Sequence, residues 1–351
     1  VLIFGKSRQL GEEEFRELFS EALEVQPSRQ PAGASPQQPG KDLLLDRPVD
    51  ELPVIDERGW NPVANAQPLL SVTSWWLALQ LLGVLALPLT TLVFHRLKDR
   101  GYILSKTLGL LVVGFLVWLA GSYRVLTNSL PTTLGACLLL GLASGCVFWR
   151  RRGEMLALWR ERRRLILLNE GLFGAAFLFF VAVRVLNPDL WHPWNGGEKS
   201  MELAFLNAIT RSAYFPPYDP YFAGGYINYY YYGLHLVAIL IKLTGIVPVV
   251  AFNLAVPSLF ALTVVNAFSL GYNLTGGRLA GLLSSVFVGL LGNLDGLVQL
   301  VEWLGQDGGL AFESRIPGVE GLVRAVPGVI RVLLGRGQLG VFDYWRSSRV
   351  I

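Results

Sequence analysis

Residues 72–94, VTSWWLALQLLGVLALPLTTLVF, carry no charged side chain, and a helix of that length reaches about 34 Å, enough to cross the roughly 30 Å hydrocarbon core of a bilayer. In hydrocarbon every backbone amide needs a partner within its own segment. A continuously apolar run meets that need as a helix, not as an alternating barrel strand. Runs of the same kind recur along the chain, near 104–122, 130–149, 166–186, 229–247 and 249–272, with a seventh over 278–298. Composition agrees: 52% of the 351 residues are hydrophobic and only 16% charged, where a soluble domain carries about a quarter charged residues. The fold class expected is therefore an all-α polytopic membrane protein, and its first partner is the lipid bilayer.

Basic residues cluster at span ends, so the net charge of +4 is no nucleic-acid signal. Arg96, Lys98 and Arg100 follow the first span, while Arg150, Arg151, Arg152, Arg160, Arg162, Arg163 and Arg164 follow the third. The positive-inside rule puts both groups on the cytoplasmic side of the cell membrane. Residues 1–70 and 187–228 then lie on the outer face. Cys137 and Cys146 sit nine residues apart in one span, about 13 Å along a helix, and cannot pair with each other.

Ahead of the membrane region, Val1–Phe4 read as the end of a strand and Gly11–Leu23 as an amphipathic helix. Residues 1–25 are thus expected to be the tail of a preceding outer domain, and the Pro- and Gln-rich stretch 26–70 a flexible linker. A three-span segment over 71–165 and a second membrane region over 166–351 complete the division. The chain opens on Val1 without an initiator Met and stops at Ile351 just after a charged, aromatic run, which reads as a fragment of a longer chain.

The loop after the fourth span, residues 191–237, is the most informative stretch. Met201–Arg211 is expected to form a short interfacial helix with Leu203, Phe205, Leu206 and Ile209 on its apolar side. Phe215-Pro216-Pro217-Tyr218-Asp219-Pro220 then forces an extended path, because prolines fix φ and restrict the residues before them. Gly224-Gly225 permits a turn, and Tyr226 with Tyr229 to Tyr232 leads into the fifth span as an aromatic belt. Glu170 and Arg184, inside the fourth span, read as snorkelling groups at its ends. Three scattered histidines do not make a metal site.

Glu198-Lys199-x-Met201-Glu202, followed by FPPYDPYFAGGYINYYYYG (215–233) and by FDYWRSSRVI (342–351), resembles the "YYY" family of uncharacterised membrane proteins over about residues 165–351. More distantly, the layout is similar to GT-C membrane glycosyltransferases, including oligosaccharyltransferase catalytic subunits and protein O-mannosyltransferases. There, an acidic residue opens the first outer loop, and a second acidic motif follows a small-residue span like GGRLAGLLSSVFVGLLGNLDG (276–296). The resemblance implies a GT-C-like bundle that takes a sugar from a lipid-linked, polyprenyl-phosphate donor. It makes Glu198 the candidate base, Glu202 its rival and Asp295 the second acid. Lys199, Arg346 and Arg349 become phosphate contacts, Tyr229, Tyr230 and His235 substrate contacts, and Asp219 a shaper of the loop. Lys199 stands where the better-known enzymes carry a second acid or a histidine, and no Asp-x-Asp occurs in the second motif, so a divalent metal, magnesium or manganese, stays open. Seven full crossings would also put Asp295 on the face opposite Glu198. The alternative class is a transporter or a non-enzymatic membrane scaffold.

Overall fold

The computed structural model describes residues 44–45, 47–48, 51–55, 60–190, 198–222, 224–291, 294–316, 318–338, 340, 343 and 346. The expected domain tail, residues 1–25, lies outside these. Helices account for the fold: α1 (Pro62–Ala66), α2 (Pro68–Val93), α3 (Ser105–Ser122), α4 (Leu130–Leu186), α5 (Lys199–Arg211), α6 (Tyr231–Thr244), α7 (Pro248–Thr275), α8 (Arg278–Gly289), α9 (Asp295–Gly308) and α10 (Val319–Leu333). Four of them, α2, α3, α4 and α7, are long and apolar enough to cross a membrane. The protein is an all-α polytopic membrane protein.

Helix α2 starts where Pro68 supplies an N-terminal residue that needs no hydrogen-bond donor. Pro88 lies in its interior, and the hydroxyls of Thr90 and Thr91 in the following turn donate back to the Leu87 and Pro88 carbonyls at 2.8 and 2.9 Å. Between membrane helices no water is left to be expelled, so close van der Waals packing must hold them. Gly109 of α3 lies directly against the Leu82 carbonyl of α2, and Gly281 of α8 against the Phe268 ring and carbonyl of α7. Any larger side chain at either place would force the helices apart. Trp75, Phe173, Phe177 and Phe268 are fully buried, and the Trp75 indole N–H reaches the Ser258 hydroxyl at 2.8 Å.

Helix α4 has 57 residues, which would make about 85 Å if straight. It is not straight: Arg151 has φ −119° and ψ 23°, outside the helical region. Both ends of α4 lie at the end of the bundle that carries α1. Asn128, just before it, donates to the Ile209 carbonyl, and Arg184, near its close, donates to Asn253 in the second turn of α7. Val247, just before α7, in turn bonds Asn65 of α1. The helix doubles back at Arg151, and its two halves are the two crossings expected over 130–149 and 166–186.

The span expected over 229–247 is corrected. Its helix, α6, has 14 residues, about 21 Å, and both ends stay near the α1 end. Tyr231 accepts from the Trp118 indole close to the end of α3, and the Gly245 carbonyl accepts from Asn61 and Asn65 beside α1. α6 lies obliquely across the bundle and dips only to the middle of α3, at Gly114. The span expected over 278–298 is also shorter. α8 runs antiparallel to α7 from the opposite end and stops where Gly289 meets Phe260 and Val264, at mid-depth of α7.

Part of the expected linker belongs to the folded unit. Leu44 and Leu45 pair with Gly225 and Gly224, while Pro53, Val54 and Ile55 pair with Arg211 to Ala213. These residues clamp both ends of the proline loop.

Candidate active site

Helix α5 forms where expected, with Phe205, Leu206 and Ile209 buried. It is held by Asn128, whose amide donates to the Ile209 and Ser212 carbonyls at 2.8 and 3.2 Å, and by Lys242 of α6, which donates to the Thr210 carbonyl at 3.1 Å. After Arg211 the chain runs extended, bridges Tyr218 to Tyr226, and contains a cis peptide between Phe215 and Pro216. Phe215 wedges between α3 and α6, against Gly121, Tyr231 and His235. Asp219 accepts from the Tyr221 and Phe222 amides at 2.8 and 3.1 Å; it shapes the turn, as read from the sequence. A cleft of about 290 Å³ opens between the 47–53 clamp and this loop, lined by Arg47, Arg124, Ser212, Tyr214, Tyr218 and Tyr226.

Glu198 is the exposed residue just before α5, and its carbonyl accepts the Glu202 amide at 2.9 Å. Glu202 lies one turn on and is half-buried. Burial first, and then the charge of Glu198, pushes its carboxyl above the usual range. Tyr229 and Tyr230 are exposed, with ring centroids 3.9 Å apart. Tyr229 is raised above the ordinary phenol value by its hydrogen bond with Tyr230 first, and the charge of Glu198 adds to the effect. Glu198, Glu202, Tyr229 and Tyr230 are therefore one neighbourhood on the α1 end, with the half-buried Lys199 on the same helix turn. Tyr230, at φ +49°, caps α6 in the left-handed region, so the ring pair is set by a turn that few residues other than glycine adopt.

His235 is elsewhere in character. It is fully buried, its Nε2 donates to the Gly114 carbonyl at 3.0 Å, and the Phe215 ring stands edge-on to it at 4.7 Å. That is a brace between α3, α6 and the loop, enclosed on all sides, rather than a group open to a substrate.

Asp295 opens α9 and is 6% exposed. Arg346 donates to it from Nε at 2.8 Å and to both oxygens of Glu302 at 2.7 and 3.1 Å. Gln299 bonds Asp295 and ties the Asp343 backbone at both its carbonyl and its amide. Arg346 holds the Glu302 carboxyl below its usual range. Arg346 is thus committed to two carboxylates, and Arg349 lies outside the described residues. Among those residues no three His, Cys, Asp or Glu side chains gather as a metal-holding group.

One cluster was not legible from the sequence. Glu170 does not snorkel. It accepts from Lys106 at 2.5 Å, Tyr102 at 2.9 Å and Gln80 at 3.1 Å, and Lys106 is 5% exposed beneath the Phe173 ring. Gln80 is halfway along α2, so this ion pair lies deep in the bundle. Its three partners come from two stretches, Gln80 and 102–106, both more than 60 residues before it in the chain.

Residues 112–351 match the family model described as Uncharacterized membrane protein (DUF2298), starting earlier than the 165 read from the motifs. No curated protein and no solved structure matches the chain. With two thirds of its length covered by that model, the chain belongs to the uncharacterized membrane protein family DUF2298.

Proposed function

We propose that the protein is a glycosyltransferase that takes a sugar from a polyprenyl-phosphate donor, and that the α1 end of the bundle is its outer, catalytic face. The observation that carries this reading is the built loop: an exposed acid at the head of a short surface helix, a second acid one turn on, paired tyrosines beside them, and a proline-locked return clamped by residues 44–55. In such a reaction the acceptor must be held in line and relieved of a proton, which a carboxylate near the anomeric carbon does. Glu198 is exposed at the head of α5, so it takes that role. Glu202, biased towards its protonated form, stands behind it as a proton partner. Asp295 is the second acid in this reading, and the direction of α8, which runs back towards the α1 end as far as Gly289, supports putting it on the side of Glu198. Arginines 150–164 lie at the other end, which the positive-inside rule assigns to the cytoplasm.

The Lys106–Glu170 pair favours a second reading, a transporter, because ionisable groups deep in a membrane bundle commonly mark ion or substrate paths. Proteoliposomes carrying the full chain and a radiolabelled polyprenyl-phosphate hexose separate the two. Glycosyl transfer breaks the anomeric bond to the carrier, joins the hexose to an acceptor hydroxyl or amide whose proton passes to Glu198, and frees the polyprenyl phosphate. Movement of the labelled solute across the bilayer with the donor intact would instead support the transporter.

A further inference from the structure

A cleft of about 400 Å³ opens between α2 and the two halves of α4, walled by Leu85, Pro88, Gly141, Ser144, Gly145 and Ile166. Two features set it apart from an ordinary lipid-facing groove. Ser144 is 2% exposed and its hydroxyl has no hydrogen-bond partner, although serine within a helix ordinarily bonds back to the preceding turn. Exposed arginines also adjoin the wall along the chain: Arg150 and Arg152 follow the wall residue Phe148, and Arg160, Arg162, Arg163 and Arg164 lie in sequence between the wall residues Trp159 and Ile166. Ser144 is six residues from Arg150, about 9 Å along the helix, comparable with the reach from a phospholipid's phosphate to its ester groups. At Gly145 a Cβ would meet nothing within 4 Å, so the space beside it is open.

We propose that this cleft is a binding site for one anionic phospholipid. An acyl chain lies along the apolar wall, an ester oxygen accepts from the Ser144 hydroxyl, and the phosphate rests among the arginines of 150–164. Charge complementarity selects the lipid class. Basic clusters at the end of membrane helices hold anionic headgroups, and guanidinium groups pair with phosphate oxygens, whereas a choline headgroup brings its own cation and loses that advantage. This site does not depend on the glycosyl-transfer reading.

The test uses the full chain in phosphatidylcholine vesicles containing a trace of spin-labelled phosphatidylglycerol or spin-labelled phosphatidylcholine. The motionally restricted fraction of each label is measured by electron spin resonance. The expected result is a preference for phosphatidylglycerol of at least about fivefold, the worth of one arginine near an anionic surface. Arg160→Gln/Arg162→Gln/Arg163→Gln/Arg164→Gln should erase the preference. Gly145→Leu should shrink the restricted fraction by filling the cleft. Ser144→Ala, which leaves packing almost untouched, should weaken it too and serves if Gly145→Leu does not fold. Equal restriction of the two labels by the wild type overturns the proposal, as does a preference that survives both the arginine and the cleft substitutions. A photoreactive residue placed at Leu156 should attach to lipid; attachment to a second copy of the chain would assign the cleft to a protein contact and overturn the proposal as well.

Discussion

The Lys106–Glu170 pair shows what a single charged residue means in hydrocarbon. A lone carboxylate there is too costly to keep ionised, so it persists only with its donors around it. Glu170→Gln leaves the buried Lys106 charge without its partner and should cost about 3–5 kcal/mol of stability; Lys106→Met leaves a carboxylate that is 28% exposed and should cost less. Lys106→Met/Glu170→Gln together should cost clearly less than the sum, a difference that denaturant titration of the detergent-solubilised protein resolves. Glu202 makes a second prediction. A carboxyl whose folded-state value is raised binds more protons when folded, so its contribution to stability falls as pH rises from the usual carboxylate range through the raised value. Relative to wild type, Glu202→Gln should therefore gain stability as pH rises from 4 to 7 in a thermal melt. An unchanged difference would mean that the environment of Glu202 is not the one described. The helix that carries Glu202 and the turn at Asp219 were legible because loop chemistry is local. Glu170 was misread because its donors at Gln80, Tyr102 and Lys106 are far away in sequence, and only the packing of α2, α3 and α4 brings them to it.

At the level of elements, long apolar runs with basic ends were easily read as crossings, and α2, α3, both halves of α4 and α7 fall where expected. The misread element is α6. Its 14 residues are apolar enough to pass for a span, but burial among α3, α5 and α7 explains that apolarity as well as lipid would. The neighbouring turns, with Asn61 and Asn65 waiting at Gly245, are a long-range fact that composition cannot carry. The same holds for residues 44–55, whose Pro and Asp content reads as linker while their backbone pairs with a loop about 160 residues on. In a background without Cys137 and Cys146, Tyr230→Cys and Val249→Cys should be labelled from the same side of the membrane, together with Ser200→Cys. Labelling of residues 230 and 249 from opposite sides would mean that α6 crosses after all. Gly109→Val, which pushes a side chain into the Leu82 carbonyl, should lower the melting temperature markedly. Gly135→Val, where a Cβ meets nothing within 4 Å, should leave it nearly unchanged.

For the whole molecule, the position of α6 sets the direction of α7 and α8. Because α6 stays at the α1 end, α7 must start there and descend, and α8 climbs back from the far end. α8 is heading back towards the α1 end where it stops at Gly289, and the proposed reading continues that direction to Asp295. In the proposed reaction these two acids, from distant parts of the chain, act on one side of the membrane. Glu198 is the base of that proposed reaction. Its most direct test is the initial rate at which the full chain in proteoliposomes consumes a polyprenyl-phosphate hexose, measured for wild type, Glu198→Gln and Glu202→Gln at equal protein level. A rate for Glu198→Gln at least ~100-fold below wild type, the lower scale for loss of a general base, with a smaller effect from Glu202→Gln, is the predicted result; a Glu198→Gln protein that consumes the donor at the wild-type rate would contradict it.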